Sequence, residues 1–150
     1  MDYLNEMTLT FLSYSINESF ARSAVAGFCV QLNPTLDEIS DIKTAVSEAV
    51  TNCVVHAYPN GERGKVTIWV GLRQNEVCIK VIDDGVGIND FVRAREPFFT
   101  TRPTEERAGM GFTVMESFMD SVTLQKNNER GLIVELKKIL HKTESKACNG

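Results

Sequence analysis

Glu48-Ala49-Val50-Thr51-Asn52, then Asp83-Asp84-Gly85-Val86-Gly87, then Gly109-Met110-Gly111 stand in that order within 150 residues. Each stretch alone is ordinary. A Glu and an Asn four apart make a polar helix face, Asp-x-Gly-x-Gly makes a tight turn after a strand, and a Gly-x-Gly pair is nearly uninformative. Their surroundings give each a definite place. Thr35 and Glu38 form a Thr-x-x-Glu capping box that launches a long helix to about Ala57. Its apolar stripe is Leu36, Ile39, Ile42, Val46, Ala49, Val50 and Cys53. At about 100° per residue, Glu48 and Asn52 project well away from that stripe. Asp83 follows the strand-like run Val77-Cys78-Ile79-Lys80-Val81-Ile82, and Gly111 to Met119 is a short helix opened by the glycine pair.

Outward from these stretches, Met7, Leu9 and Phe11 alternate with Thr8, Thr10 and Leu12 as a first strand. Ser15 and Glu18 give another capping-box signal, and Phe20, Ala24, Phe28 and Leu32 recur as a helical stripe ending before Asn33-Pro34. Val66, Ile68, Val70 and Leu72 share one face of a strand that turns through Arg73-Gln74-Asn75-Glu76 into the strand before Asp83. From Gly85 to about Gly109 the periodicity fails over a segment holding Pro97, Phe98-Phe99-Thr100-Thr101 and Pro103, a length that suits a functional lid. Val122-Thr123-Leu124 and Leu132 through Leu140 read as the last strands, and the polar tail from about 141 reads as frayed. The order β-α-α-β-β-lid-α-β-β predicts a single α+β domain over 1–150. Its sheet is mixed but mostly antiparallel, with helices packed on one face.

Composition narrows the function. With 43% hydrophobic residues the chain can bury a sizeable core, and a net charge of −4 argues against nucleic acid as the main partner. No apolar run reaches the length of a membrane span. Cys29, Cys53, Cys78 and Cys148 are scattered with no CxxC, which disfavours a zinc site or disulfide framework and points to a reducing cytoplasm.

The three stretches suit the parts of an ATP pocket. An Asn carbonyl oxygen such as that of Asn52 can hold Mg²⁺, which keeps waters and phosphate oxygens as its other ligands. Glu48, one turn away, can take a proton from an attacking hydroxyl. His56, at the next i+4 position, more simply caps carbonyls at the helix end. Asp83 can accept a hydrogen bond from the exocyclic amine of adenine, while Gly85 and Gly87 let backbone approach the base. Gly109 and Gly111, at a helix N-terminus, offer amides to phosphate, and Arg107 just before them can reach a γ-phosphate. Neither a Walker loop nor the protein-kinase signature set is present.

These stretches resemble the N, G1 and G2 boxes of the GHKL ATPase and kinase superfamily. Asn17-Glu18-Ser19-Phe20-Ala21-Arg22, Ser47 to Asn52, Pro97 to Thr101 and Gly109 to Glu116 narrow the similarity to its bacterial anti-sigma factor serine kinases. The resemblance runs from about Asn5 to Lys138. It implies a Bergerat-type sandwich that binds Mg-ATP, dimerises, holds a sporulation sigma factor (sigma F) inactive, and phosphorylates a serine of an anti-anti-sigma protein. By position, Asn52 would hold the metal, Asp83 would read adenine, and Gly109 and Gly111 would close on phosphate. Glu48 would be the general base, Arg107 would contact the γ-phosphate, and Arg22 matches a partner-contacting arginine. After Gly131 the chain has Leu132-Ile133 where relatives often carry threonines, so no threonine there is assigned to the base.

Other readings are an ATP-gated sigma-binding module without chemistry, the kinase of a related stress-response sigma factor, and a detached histidine-kinase or GHKL-hydrolase domain. Glu48 and Arg107 argue against the first, since binding alone needs neither. The last would need further elements beyond 150 residues.

Overall fold

The computed structural model describes residues 2–58, 61–86, 106–127 and 130–141. Of the expected lid, from Gly85 to about Gly109, residues 87–105 with Gly87 among them lie outside these residues, as does the expected tail beyond 141.

The strands are β1 (Asn5–Leu12), β2 (Lys65–Arg73), β3 (Glu76–Asp83), β4 (Ser121–Lys126) and β5 (Leu132–Ile139). They form one sheet in the order β1-β2-β3-β5-β4, and every described pairing is antiparallel. The register explains the alternation in the sequence. Leu9, Ile68, Val81, Val134 and Leu124 lie in one cross-sheet row, and Met7, Val70, Ile79, Leu136 and Val122 in the next. Both rows face the helices, because side chains alternate between the faces of a strand. The adjoining row begins Phe11, Val66, Asp83, so β3 delivers a carboxylate to the helix side of the sheet.

The helices are α1 (Asn17–Cys29), α2 (Leu36–Asn52) and α3 (Glu106–Phe118), and α2 packs between the other two. A 3₁₀ turn, Val30–Leu32, closes α1, and Asn33 (φ 51°) reverses the chain in the left-handed region that Asn tolerates. The Thr35 capping box is complete. The Thr35 hydroxyl accepts from the Glu38 amide at 3.1 Å, and the Glu38 carboxylate accepts from the Thr35 amide at 2.8 Å.

The capping box at Ser15 does not form. Helix α1 starts at Asn17 behind Ile16, whose backbone is already helical, and no side chain caps it. Glu18 pairs instead with Arg22 one turn on, at 3.4 Å. The buried stripe of α1 is Ala21, Val25 and Cys29, one position round from the expected set, and Phe20 is 56% exposed. Small residues let α1 lie close against α2. Leu36 is likewise exposed, so the buried stripe of α2 starts only beyond its first turn. Helix α3 begins at Glu106, upstream of the expected start at Gly111. Glu, Arg and Ala are stronger helix formers than Gly and extend the helix past both glycines.

Candidate functional site

The last turns of α2 hold Glu48 and Asn52. Asn52 is buried, contrary to the solvent-directed face its spacing suggests, because α3 lies over it. A Cβ added at Gly111 would stand 3.2 Å from a Glu48 carboxylate oxygen and 3.3 and 3.4 Å from the Asn52 amide nitrogen and oxygen. The structure therefore brings Glu48, Asn52 and Gly111 together around one small space. The Asn52 side-chain nitrogen has no hydrogen-bond partner among the described residues. A buried amide left unpaired costs free energy that an incoming ligand can recover.

Helix α2 ends in a π turn, Cys53–Ala57. His56 lies within this wider turn. Gly109 lies within the first turns of α3, three residues after its start at Glu106. Arg107 is on the same helix, its side chain outside the described residues.

Asp83 ends β3 and is only 4% exposed. Its Oδ1 accepts from the amides of Gly85 (2.9 Å) and Leu132 (3.2 Å). Its Oδ2 faces the Cys53 thiol at 3.5 Å, leaving that oxygen the more lightly used. Burial pushes the carboxyl above the usual range, and the bonds from Gly85, Cys53 and Leu132 offset this only in part. Burial and the neighbouring Asp83 charge push the Cys53 thiol well up, so it stays a donor. The chain after Asp83 is held from both sides. Gly85 lies so close to the π turn that a Cβ would overlap the Ala57 carbonyl, which accepts from the Val86 amide at 2.9 Å. Opposite, Gly131 (φ 91°) lies against the Asp83 carbonyl, which also accepts from the Asn127 side chain at 2.7 Å.

Arg22 lines the same groove as Glu48. Its guanidinium donates to Ser47 Oγ at 3.4 Å. An open groove of about 670 Å³ between α1 and α2 is lined by Glu18, Arg22, Lys43, Ser47 and Glu48 among others. Sequence separation had set Arg22 apart from every nucleotide motif, and the fold closes that distance.

A family model for the histidine kinase-like ATPase domain matches residues 17–138. Anti-sigma F factors from Thermoanaerobacter sp. (strain X514) and Bacillus subtilis (strain 168) are 54% and 51% identical to this chain. The matches cover 93% and 97% of this chain and 97% and 99% of those proteins. The chain belongs to the histidine kinase-like ATPase family, among the anti-sigma F factors. The family is one of ATP-using, kinase-type domains. Solved structures agree in fold. The RsbU and RsbW domains of a Mycobacterium tuberculosis protein superpose with a TM-score of 0.64 at 17% identity, over 91% of this chain and 32% of that one. The catalytic domain of histidine kinase ThkA gives 0.55 at 16% identity, over 89% and 96%.

Cys53, Leu132, Asn127 and Gly131 escaped the sequence reading of the site. Cys53 reads as a small core residue, and a backbone donor such as the Leu132 amide leaves no trace in side-chain pattern.

Proposed function

We propose that this chain is an ATP-dependent anti-sigma factor that binds and inhibits sigma F and transfers the γ-phosphoryl group of ATP to a serine of its anti-anti-sigma antagonist. The observation that carries this reading is that Glu48 and buried Asn52, whose side-chain nitrogen has no partner among the described residues, meet beneath Gly111, with buried Asp83 on the same side of the sheet.

The residues present fit Mg-ATP. Asn52 would offer its side-chain oxygen to Mg²⁺, with phosphate oxygens and waters completing the shell. Bound there, the ion neutralises phosphate charge. Asp83 Oδ2 accepts from the adenine amine. Gly85 and Gly87 admit the base, and Gly109 and Gly111, lacking Cβ, admit the phosphates. Glu48 takes the proton of the serine hydroxyl as the serine oxygen bonds to phosphorus and the bond to the ADP oxygen breaks. Arg107 stabilises the charge on the transferred group. Arg22, at the groove beside Glu48, binds the protein partners. The chain pairs with a second copy of itself, to which Leu12, Ile16 and Phe20 leave apolar side chains exposed. No described helix is long and apolar enough to cross a membrane.

The test is incubation with labelled ATP and candidate anti-anti-sigma proteins, followed by location of the label. Phosphoserine on one of them is the expected result. Sigma factor binding with no transfer to any antagonist would leave an ATP-gated binding module instead.

A further inference from the structure

Tyr58 is unused by the chemistry above, yet it is 6% exposed and carries three polar contacts on one hydroxyl. The oxygen accepts from the Asp84 amide at 3.0 Å, and its single proton is shared between the Asp84 carboxylate and the Lys65 carbonyl, the latter at 2.7 Å. Asp84 immediately follows Asp83, so the phenol grips the chain one residue beyond the buried carboxylate. The ring itself is fixed. A Cβ at Gly64 would overlap it, so only glycine leaves room for the ring there. Gly64 is in turn pinned to buried Ser13 by a reciprocal pair, Ser13 amide to Gly64 carbonyl at 2.9 Å and Gly64 amide to Ser13 Oγ at 3.1 Å. Burial and the bond to Asp84 push the Tyr58 hydroxyl above its ordinary value, so it remains a donor at neutral pH.

The turn that carries Asp83 therefore has two supports. The β4–β5 turn holds it from one side through Asn127 and through Arg130, which donates to the Gly85 carbonyl at 3.1 Å. On the other side are the Ala57 carbonyl and Tyr58. We propose that Tyr58 is a positioning residue for base recognition: its hydroxyl fixes the Asp83–Gly85 turn so that Asp83 Oδ2 meets the adenine amine. This rests on the reading of Asp83 as the adenine acceptor. A hydrogen bond to a charged group depends steeply on distance and angle, so a turn freed on one side loses discrimination before it loses the fold. Glu48 and Asn52 lie upstream of the π turn and do not depend on this grip.

Tyr58→Phe keeps the ring over Gly64 and removes the hydroxyl. The measurement is affinity for ATP and for inosine triphosphate, which has a carbonyl where adenine has its amine, on wild type and variant. The wild type is expected to prefer ATP by about 30-fold, the worth of one charge-assisted hydrogen bond. In Tyr58→Phe the preference should fall to about 3-fold or less, through weaker ATP binding, while inosine triphosphate affinity and kcat at saturating ATP hold. Asp84→Ala, which leaves Tyr58 intact and removes an exposed partner, should lower the preference in the same direction even should the phenylalanine variant fail to fold. A wild type with no preference refutes the adenine reading of Asp83 itself. A wild-type preference retained in the variants, or equal weakening of both nucleotides, refutes the role of Tyr58 alone.

Discussion

Gly111→Ala separates stability from function with a sign fixed by the structure. Glycine inside a helix costs about 1 kcal/mol relative to alanine, and Gly111 lies within α3, so the helix alone gains by the change. The new methyl would stand 3.2 to 3.4 Å from the ends of Glu48 and Asn52. That is tight, and the atoms it meets are tips of side chains that can yield by a few tenths of an ångström, so little of the helical gain is lost. Tm should stay level or rise. The displaced groups are those proposed to take the proton and hold the metal, and misplacement by as much as 1 Å can lower a rate by about 100-fold. A fall of about 10- to 100-fold in phosphotransfer with an unshifted or higher Tm is expected. Thermal melting and single-turnover transfer on one preparation decide it. A variant that transfers at the wild-type rate would refute the placement of Gly111 against Glu48 and Asn52, and one that melts well below wild type would refute the yielding of those two side chains.

Asp83→Asn keeps the acceptor for Gly85 and Leu132 and turns the more lightly used oxygen, which meets the Cys53 thiol at 3.5 Å, into a donor facing the adenine amine. The fold should persist while ATP binds about 2 kcal/mol more weakly in a titration. The burial that raises the Asp83 carboxyl gives a pH signature. Its neutral form is favoured in the folded state, so its contribution to stability is present at low pH and lost as pH rises through the raised pKa. The Tm of wild type relative to Asp83→Asn should fall from the ordinary aspartate value, about 3.9, up to the raised one and level off above it. A flat difference would contradict a desolvated carboxyl. Arg22→Ala should weaken capture of the sigma factor and antagonist in a pull-down while ATP affinity holds. Because Arg22 bonds Ser47 beside Glu48, phosphotransfer should fall as well.

The element order, the complete capping box at Thr35 and the inner faces of the strands were legible in the sequence because each is a local pattern of period or spacing. The stripe of α1 was not. Periodicity favours large apolar residues such as Phe20, while close helix packing buries the small ones, Ala21 and Val25. The start of α3 was missed because glycine was read as a beginning, when Glu106 to Ala108 already favour helix. At the site, the residue types at Glu48, Asn52 and Asp83 carried their own signal. The burial of Asn52, the bonds of Asp83 to Cys53 and Leu132, and the nearness of Arg22 to Glu48 arise from contacts across 25 or more positions. No window of sequence contains them.

The central claim is that Glu48 acts as a base in a nucleotide site it does not itself build. Glu48→Gln keeps size and hydrogen-bonding reach but cannot accept the proton at neutral pH. The direct measurement is single-turnover phosphotransfer to the antagonist beside an ATP titration of the same variant. The expected result is unchanged ATP affinity with transfer slowed by about 10²- to 10⁴-fold. Transfer at the wild-type rate with ATP bound as before would contradict it.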